Sequence, residues 1–197
     1  MEMELRADGH LHISGYVNVT GKMSRPVITA KGQRVIEVIE EKAFQNALNH
    51  AANVQMTKDH IKSCVLAETG NNTLELREDS IGLHAEADIT DPTTIEEARA
   101  GKIKGWSFGM RKIIDNIEER TNQLPLRTVK AFELDHITLV VHKTPVYAAT
   151  SVEIRANDET EELECRTFQS DITVKNQQKK QYNSDFKERL EKIKLNQ

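Results

Sequence analysis

The two-residue alternation of its apolar positions constrains this chain more than any other feature. In the run GWSFGM, Trp106, Phe108 and Met110 fall on one side of an extended backbone, and Ser107 and Gly109, with Arg111 beyond them, fall on the other. In GLHAEADI, Leu83, Ala85, Ala87 and Ile89 all point one way. A period of two is a strand signal, and one apolar face per strand describes a half-buried, antiparallel sheet. The same reading covers Leu11, Ile13, Val17 and Val19, with Gly15 as a bulge or bend. It extends to Val35–Ile39, NVQMTKDH, Ser63–Ala67, Asn72–Arg77, VKAFELDHITLVV and a closing SVEIR. The turns between them read GNN, EDSIG and NIEERTNQLPL.

Two segments switch to helical spacing. From Glu40 to Ala52, residues Ala43, Phe44, Ala47, Leu48 and Ala51 share a face. In DPTTIEEARAGK, Thr94 and Glu97 have the spacing of a capping box and Gly101 that of a helix stop. The expected architecture is α+β: a mostly antiparallel barrel of about seven strands, with a few surrounding short helices and a flexible or helical C-terminal tail. Closure is expected because it removes exposed sheet edges. Residues 1–155 form the expected body, and residues 156–197 a charged linker and an amphipathic tail helix. In that tail Ser184 can cap SDFKERLEKIKL, whose Phe186, Leu190 and Ile193 share a face suited to a partner; a plain solvated extension reads equally well.

Composition removes several function classes. The 197 residues carry a net charge of −4, so no basic field draws in nucleic acid or an anionic membrane. No apolar run approaches the roughly 20 residues that span a bilayer. The opening MEMELRADGH has no apolar signal core, so a cytosolic setting is expected, including a particle assembled in a cytosol. Cys64 and Cys165 suit a reducing compartment. There is no P-loop or dinucleotide glycine motif, and His10 and His12, though on one face, have no carboxylate or cysteine at ligand spacing nearby, so no cofactor or metal is expected.

The candidate chemistry centres on Ser107. A small hydroxyl between the bulky anchors Trp106 and Phe108 is held rigidly, and Gly109 beside it leaves room for a substrate backbone. That suits a nucleophile, which must be exposed yet fixed; an ordinary outward serine on an amphipathic strand would look the same. A serine needs a base within hydrogen-bond reach. His60 lies at a strand end in TKDHIKS, where side chains can converge on a cleft. His136 sits with Thr138 inside an apolar strand, as a catalytic orienter or as a satisfied structural histidine. By parity Asp135 belongs to the opposite face, with Ile137 and Leu139. A Cys64–His60 couple four residues apart is a further reading, beside the simpler one of a packing cysteine.

Four stretches in one order resemble the tailed-phage prohead protease family, which shares its fold with the herpesvirus assemblin proteases. They are GYVNVTG with VIEVIEEKAFQNAL, then VQMTKDHIKS, then ARAGKIKGWSFGMR, then ELDHITLVVHKTPVYAATSVEIR, together spanning Gly15 to Arg155. The resemblance implies a serine endopeptidase with Ser107 as nucleophile and His60 as base. His136 stands where the family often has a glutamate; a histidine there is the assemblin arrangement and implies the triad Ser107, His60 and His136. Without a carboxylate in that triad, turnover is expected to be slow. The helix entry EEKAF also departs from the proline-glycine often found in the family. Arg111, Lys143 and backbone amides near Gly109 are the candidate oxyanion donors or substrate contacts. The resemblance further implies major capsid and scaffolding proteins as substrates, the enzyme itself among them, inside a prohead assembling in the host cytoplasm. A homodimer is possible, as in assemblins. The contrasting class is a non-enzymatic capsid-assembly scaffolding protein on the same barrel, which has no need to keep Ser107, His60 and His136.

Overall fold

The computed structural model describes residues 1–142, 163–169 and 171–176. Within them the chain runs β1 (Glu2–Leu5), β2 (Leu11–Val19), β3 (Val27–Ile28), β4 (Arg34–Ile39), α1 (Ala43–His50), β5 (Gln55–Lys58), β6 (Ile61–Glu68), β7 (Leu74–Glu78), β8 (Gly82–Ile89), α2 (Pro92–Arg99), β9 (Gly105–Glu118), β10 (Leu126–Val140), β11 (Glu164–Gln169) and β12 (Thr173–Asn176). The α+β class stands, but the expected closed barrel does not: the described strands form two mixed sheets. One has the order β12-β1-β2-β8-β7, and the other β11-β9-β10-β4-β3 with β5 and β6 attached through β10. The pairing explains the departure. The fifteen-residue β10 is long enough to take two parallel neighbours end to end, with β4 beside Leu126–Val129 and β5 beside His136–Leu139. Parallel pairing branches the sheet where a meander would have curled it closed.

The alternation read from the sequence sets the core. Trp106, Phe108 and Met110 are fully buried, as are Leu83, Ala85 and Ile89, and one apolar cluster joins both sheets and both helices. Phe108 meets Phe44 of α1 edge-to-face at 5.1 Å, and Phe44 meets Phe132 at the same distance. Truncation of so enclosed a ring leaves a cavity; Phe108→Ala is expected to cost about 3–5 kcal/mol, read as a lowered denaturation midpoint.

The helix starts differ from the local expectation. α2 is capped by Asp91, whose carboxylate accepts from the Thr94 amide at 2.7 Å and the Thr94 hydroxyl at 2.6 Å. Thr94 is thus the capped residue, not the cap, because Pro92 at the first helical position places Asp91 where the free amides converge. Gly101 ends the helix region at φ 65°, as expected of a stop. At the EEKAF entry of α1, Lys42 is left-handed (φ 69°), and the Glu78 carboxylate of β7 accepts from the Lys42 amide at 2.9 Å and the Gln45 amide at 2.6 Å.

Pairing to the body reaches past residue 155. β12 lies parallel to β1, and β11 lies antiparallel to β9 with Thr167 opposite Ser107. Lys143, the SVEIR strand and the SDFKERLEKIKL helix lie outside the described residues. Among the described residues no helix is long and apolar enough to cross a membrane.

Candidate active site

His60 is placed by a strained turn. Asp59 (φ 50°) and His60 (φ 62°) are both left-handed and join β5 to β6 as a two-residue hairpin. Such a turn ordinarily takes asparagine and glycine. Non-glycine residues hold it at about 1–2 kcal/mol each, and only where the surroundings over-determine it. Here they do. The buried Asp59 carboxylate accepts from the Val141 amide at 2.8 Å and the His142 amide at 3.1 Å. The His60 amide donates to Thr138 Oγ1 at 3.0 Å, and the Thr138 hydroxyl in turn donates to the Thr57 carbonyl at 2.9 Å. The backbone at His60 is therefore bolted to the strand that neighbours Ser107, since Thr138 is the β10 partner of Ser107.

The ring of His60 meets His136. His60 Nδ1 and His136 Nε2 are 2.7 Å apart, with the rings nearly perpendicular at 82°. His136 Nδ1 lies 2.7 Å from Asp135 Oδ2, and the other Asp135 oxygen accepts from Arg111 Nη2 at 2.9 Å. Burial works to raise the Asp135 pKa, but the His136 hydrogen bond and the Arg111 charge hold it below the ordinary carboxylate value. The protons then order themselves. An ionised Asp135 can only accept, so His136 donates through Nδ1, and when the ring carries one proton its Nε2 is the acceptor. His60 then donates through Nδ1, which puts the basic lone pair of its ring on Nε2.

Two expectations about this strand change. Asp135 was expected to face away from His136, with Ile137 and Leu139. Between Leu134 and His136 the register with β9 shifts, so that two residues of β10 stand against one step of β9. This bulge brings the Asp135 carboxylate round to His136, and Leu134 into the core. Gly109 does not leave space for a substrate. A side chain there would come within 2.8 Å of His136 Cε1 and 3.1 Å of Leu163 Cδ1, so the missing Cβ is the room in which His136 sits. Arg111, proposed for an oxyanion, is engaged with Asp135 instead.

Ser107 lies on the expected face of β9, but it is fully buried where an exposed hydroxyl was expected. Strand β11 covers it. The Ser107 hydroxyl donates to the Arg166 carbonyl at 2.7 Å and accepts from the Thr167 hydroxyl at 3.1 Å. Ser107, Gly109, Thr138, His136, Cys165 and Thr167 form one layer across three paired strands. Cys165, which sequence reasoning left unused, lies with its sulfur within 4.8 Å of ring nitrogens of His60 and His136. Neither cysteine is in a disulfide, and Cys64 has no place in this cluster.

Other histidines are held elsewhere: His12 by Asp88 at 2.9 Å, His50 by the Asn46 carbonyl at 2.7 Å, and His142 by Glu97 at 2.8 Å. Burial lowers the pKa of His84, which lies 3.3 Å from Ser14 Oγ. His10 stands 3.6 Å from Asp8.

A serine on one strand face, and on the layer it shares with the neighbouring strand a histidine pair backed by a carboxylate, have the composition of a serine-peptidase site. The sequence matches the model of the caudovirus prohead serine protease family over residues 1–165, and the chain belongs to that family. No curated protein and no solved structure shows significant similarity to it.

Proposed function

We propose that this chain is the endopeptidase of prohead maturation, cleaving capsid and scaffolding proteins, and itself, with Ser107 as nucleophile, His60 as general base and His136 as orienter. The observation that carries the reading is the hydrogen-bonded series His60 Nδ1, His136 Nε2, His136 Nδ1, Asp135 Oδ2, which orients the ring of His60 and is tied through Thr138 to β10, the strand paired with the one bearing Ser107. In the reaction Ser107 Oγ attacks the scissile carbonyl carbon and His60 takes its proton. The peptide C–N bond breaks, the proton passes to the leaving amine, and water then releases the acyl group by the same route in reverse. Asp135 adds what a pair of neutral histidines lacks, a negative charge that stabilises the imidazolium formed during attack.

The test is the mass of the neighbouring capsid protein co-expressed with wild type and with Ser107→Ala. Cleavage by wild type alone supports the assignment. Equal cleavage by both removes Ser107 from the role, and cleavage by neither, where proheads form, favours a scaffolding protein.

Thr138 is a positioning residue in this scheme. Thr138→Val removes the acceptor of the His60 amide and leaves buried donors unpaired, at a stability cost of about 1–3 kcal/mol. With His60 released from its turn, kcat is expected to fall by about tenfold or more while KM changes little; a parallel change in both would mean that Thr138 only supports the fold.

A further inference from the structure

Strand β11 does more than cover Ser107. It lies along the edge of β9 as an added strand, with the Arg166 carbonyl on the Ser107 hydroxyl. Its other face carries two charges into the interior. Arg166 is buried and donates from Nε to Glu37 Oε1 at 2.7 Å and from Nη2 to Glu37 Oε2 at 2.8 Å. Glu164, also buried, accepts from the Ala30 amide at 2.9 Å and from Arg127 Nη1 at 2.5 Å, and it also pairs with Arg166. The body's own charges, Glu37 and Arg127, are bonded to each other at 3.1 Å.

In the body Arg127 also donates from Nε to the partly exposed Asp115 at 2.5 Å. When β11 leaves, Arg127 stays paired with Glu37 and Asp115 and a Glu164–Arg166 pair departs, so each of these charges keeps a partner of opposite sign. A strand held only for stability gains little from such a network, since buried ion pairs are poor stabilisers against apolar packing. A planar guanidinium fork on a carboxylate gives specificity instead. The Ser107 proton is meanwhile directed to the strand's carbonyl oxygen, so it is not directed to a base, and the nucleophile is at rest while β11 is seated.

Resting on the serine-peptidase reading above, we propose that β11 occupies the substrate's place. Substrates then add as an extended strand to the same edge of β9 and carry a carboxylate and, two residues later, an arginine. Glu37 reads the arginine, Arg127 and the Ala30 amide read the carboxylate, and the carbonyl of the arginine is the one presented to Ser107. Main-chain pairing supplies affinity and the alternate side chains supply selection, as in other strand-addition complexes.

The test uses the full-length Ser107→Ala chain with Arg166→Gln added to loosen its own strand. It is titrated by fluorescence anisotropy, under reductant, with a labelled peptide copying residues 161–170, EELECRTFQS, and with EELECQTFQS. The arginine peptide is expected to bind about tenfold tighter or more, as a bidentate charged contact warrants, and Glu37→Gln is expected to abolish the difference. Equal binding of the two peptides, or a preference that survives Glu37→Gln, would overturn the proposal. If Glu37→Gln does not fold, hydrogen exchange on the Ser107→Ala chain decides. Saturating EELECRTFQS is expected to speed exchange of the β11 amides while β4 and β10 stay as they were, and unchanged β11 exchange would sink the idea. Binding is read on a chain that cannot cleave. Failure of the peptidase reading would instead appear as a wild-type chain that binds the peptide and cuts nothing.

Discussion

Ser107→Ala is expected to lower cleavage by at least about a thousandfold while leaving the fold intact. The reacting oxygen is removed, and what remains is whatever water can do in a site that still binds and polarises the peptide. The structural cost is small, because alanine fits the space between Trp106 and Phe108 and only two hydrogen bonds are lost, to the Arg166 carbonyl and from the Thr167 hydroxyl. Both losses fall on β11, so its docking weakens by an amount on the order of 1–2 kcal/mol while the Phe44–Phe108–Phe132 core is untouched. The variant should thus combine a dead enzyme with faster hydrogen exchange over Glu164–Gln169. Residual activity within tenfold of wild type in a cleavage assay would remove Ser107 from the chemistry.

Asp135→Asn is the second large effect, a fall in kcat of about a hundred- to ten-thousandfold. The two oxygens of Asp135 serve different partners: one accepts from Arg111, the other from His136. Arg111 can only donate, so it holds the carbonyl oxygen of the new amide and turns the NH2 group toward His136 Nδ1. His136 must then accept through Nδ1 and donate through Nε2. His60 accepts through Nδ1 and carries its proton on Nε2, where the base is needed. The geometry survives and the tautomer is wrong. Stability should change by only about 1 kcal/mol, since the Arg111 side chain is 35% exposed and its ion pair is screened by water. Comparison of kcat with the denaturation midpoint separates the two effects, and a near-wild-type kcat would show that Asp135 does not set the histidine protons.

Much of the site that these variants probe is legible in the sequence. The layer that matters was largely visible: Trp106, Phe108 and Met110 inward, Ser107 and Gly109 on the opposite face, and His136 with Thr138 on the neighbouring strand. His60 at a strand end was legible too, although the left-handed turn that aims it was not, because Asp-His carries none of the usual signal for such a turn. Its support comes from Thr138, 78 residues away in the chain.

What the sequence alone determined is what depends on near neighbours: strand periodicity, which side chains enter the core, the stop at Gly101, and the ordered set of segments that marks the family. Those follow from φ/ψ geometry and apolar spacing, which act over a few residues. Tertiary structure decided the rest. The bulge at Asp135 depends on how β10 registers against β9, and counting parity along one strand cannot detect it. The sheets branch rather than close because β10 takes two parallel partners, drawn from distant segments. Ser107 is buried because Glu164 and Arg166, in a stretch charged enough to read as a solvated tail, find in Glu37 and Arg127 the opposite charges that make their burial affordable. Charge pairing across 37 residues (Arg127–Glu164) and 129 residues (Glu37–Arg166) leaves no local pattern, so only the folded chain could bring it to view.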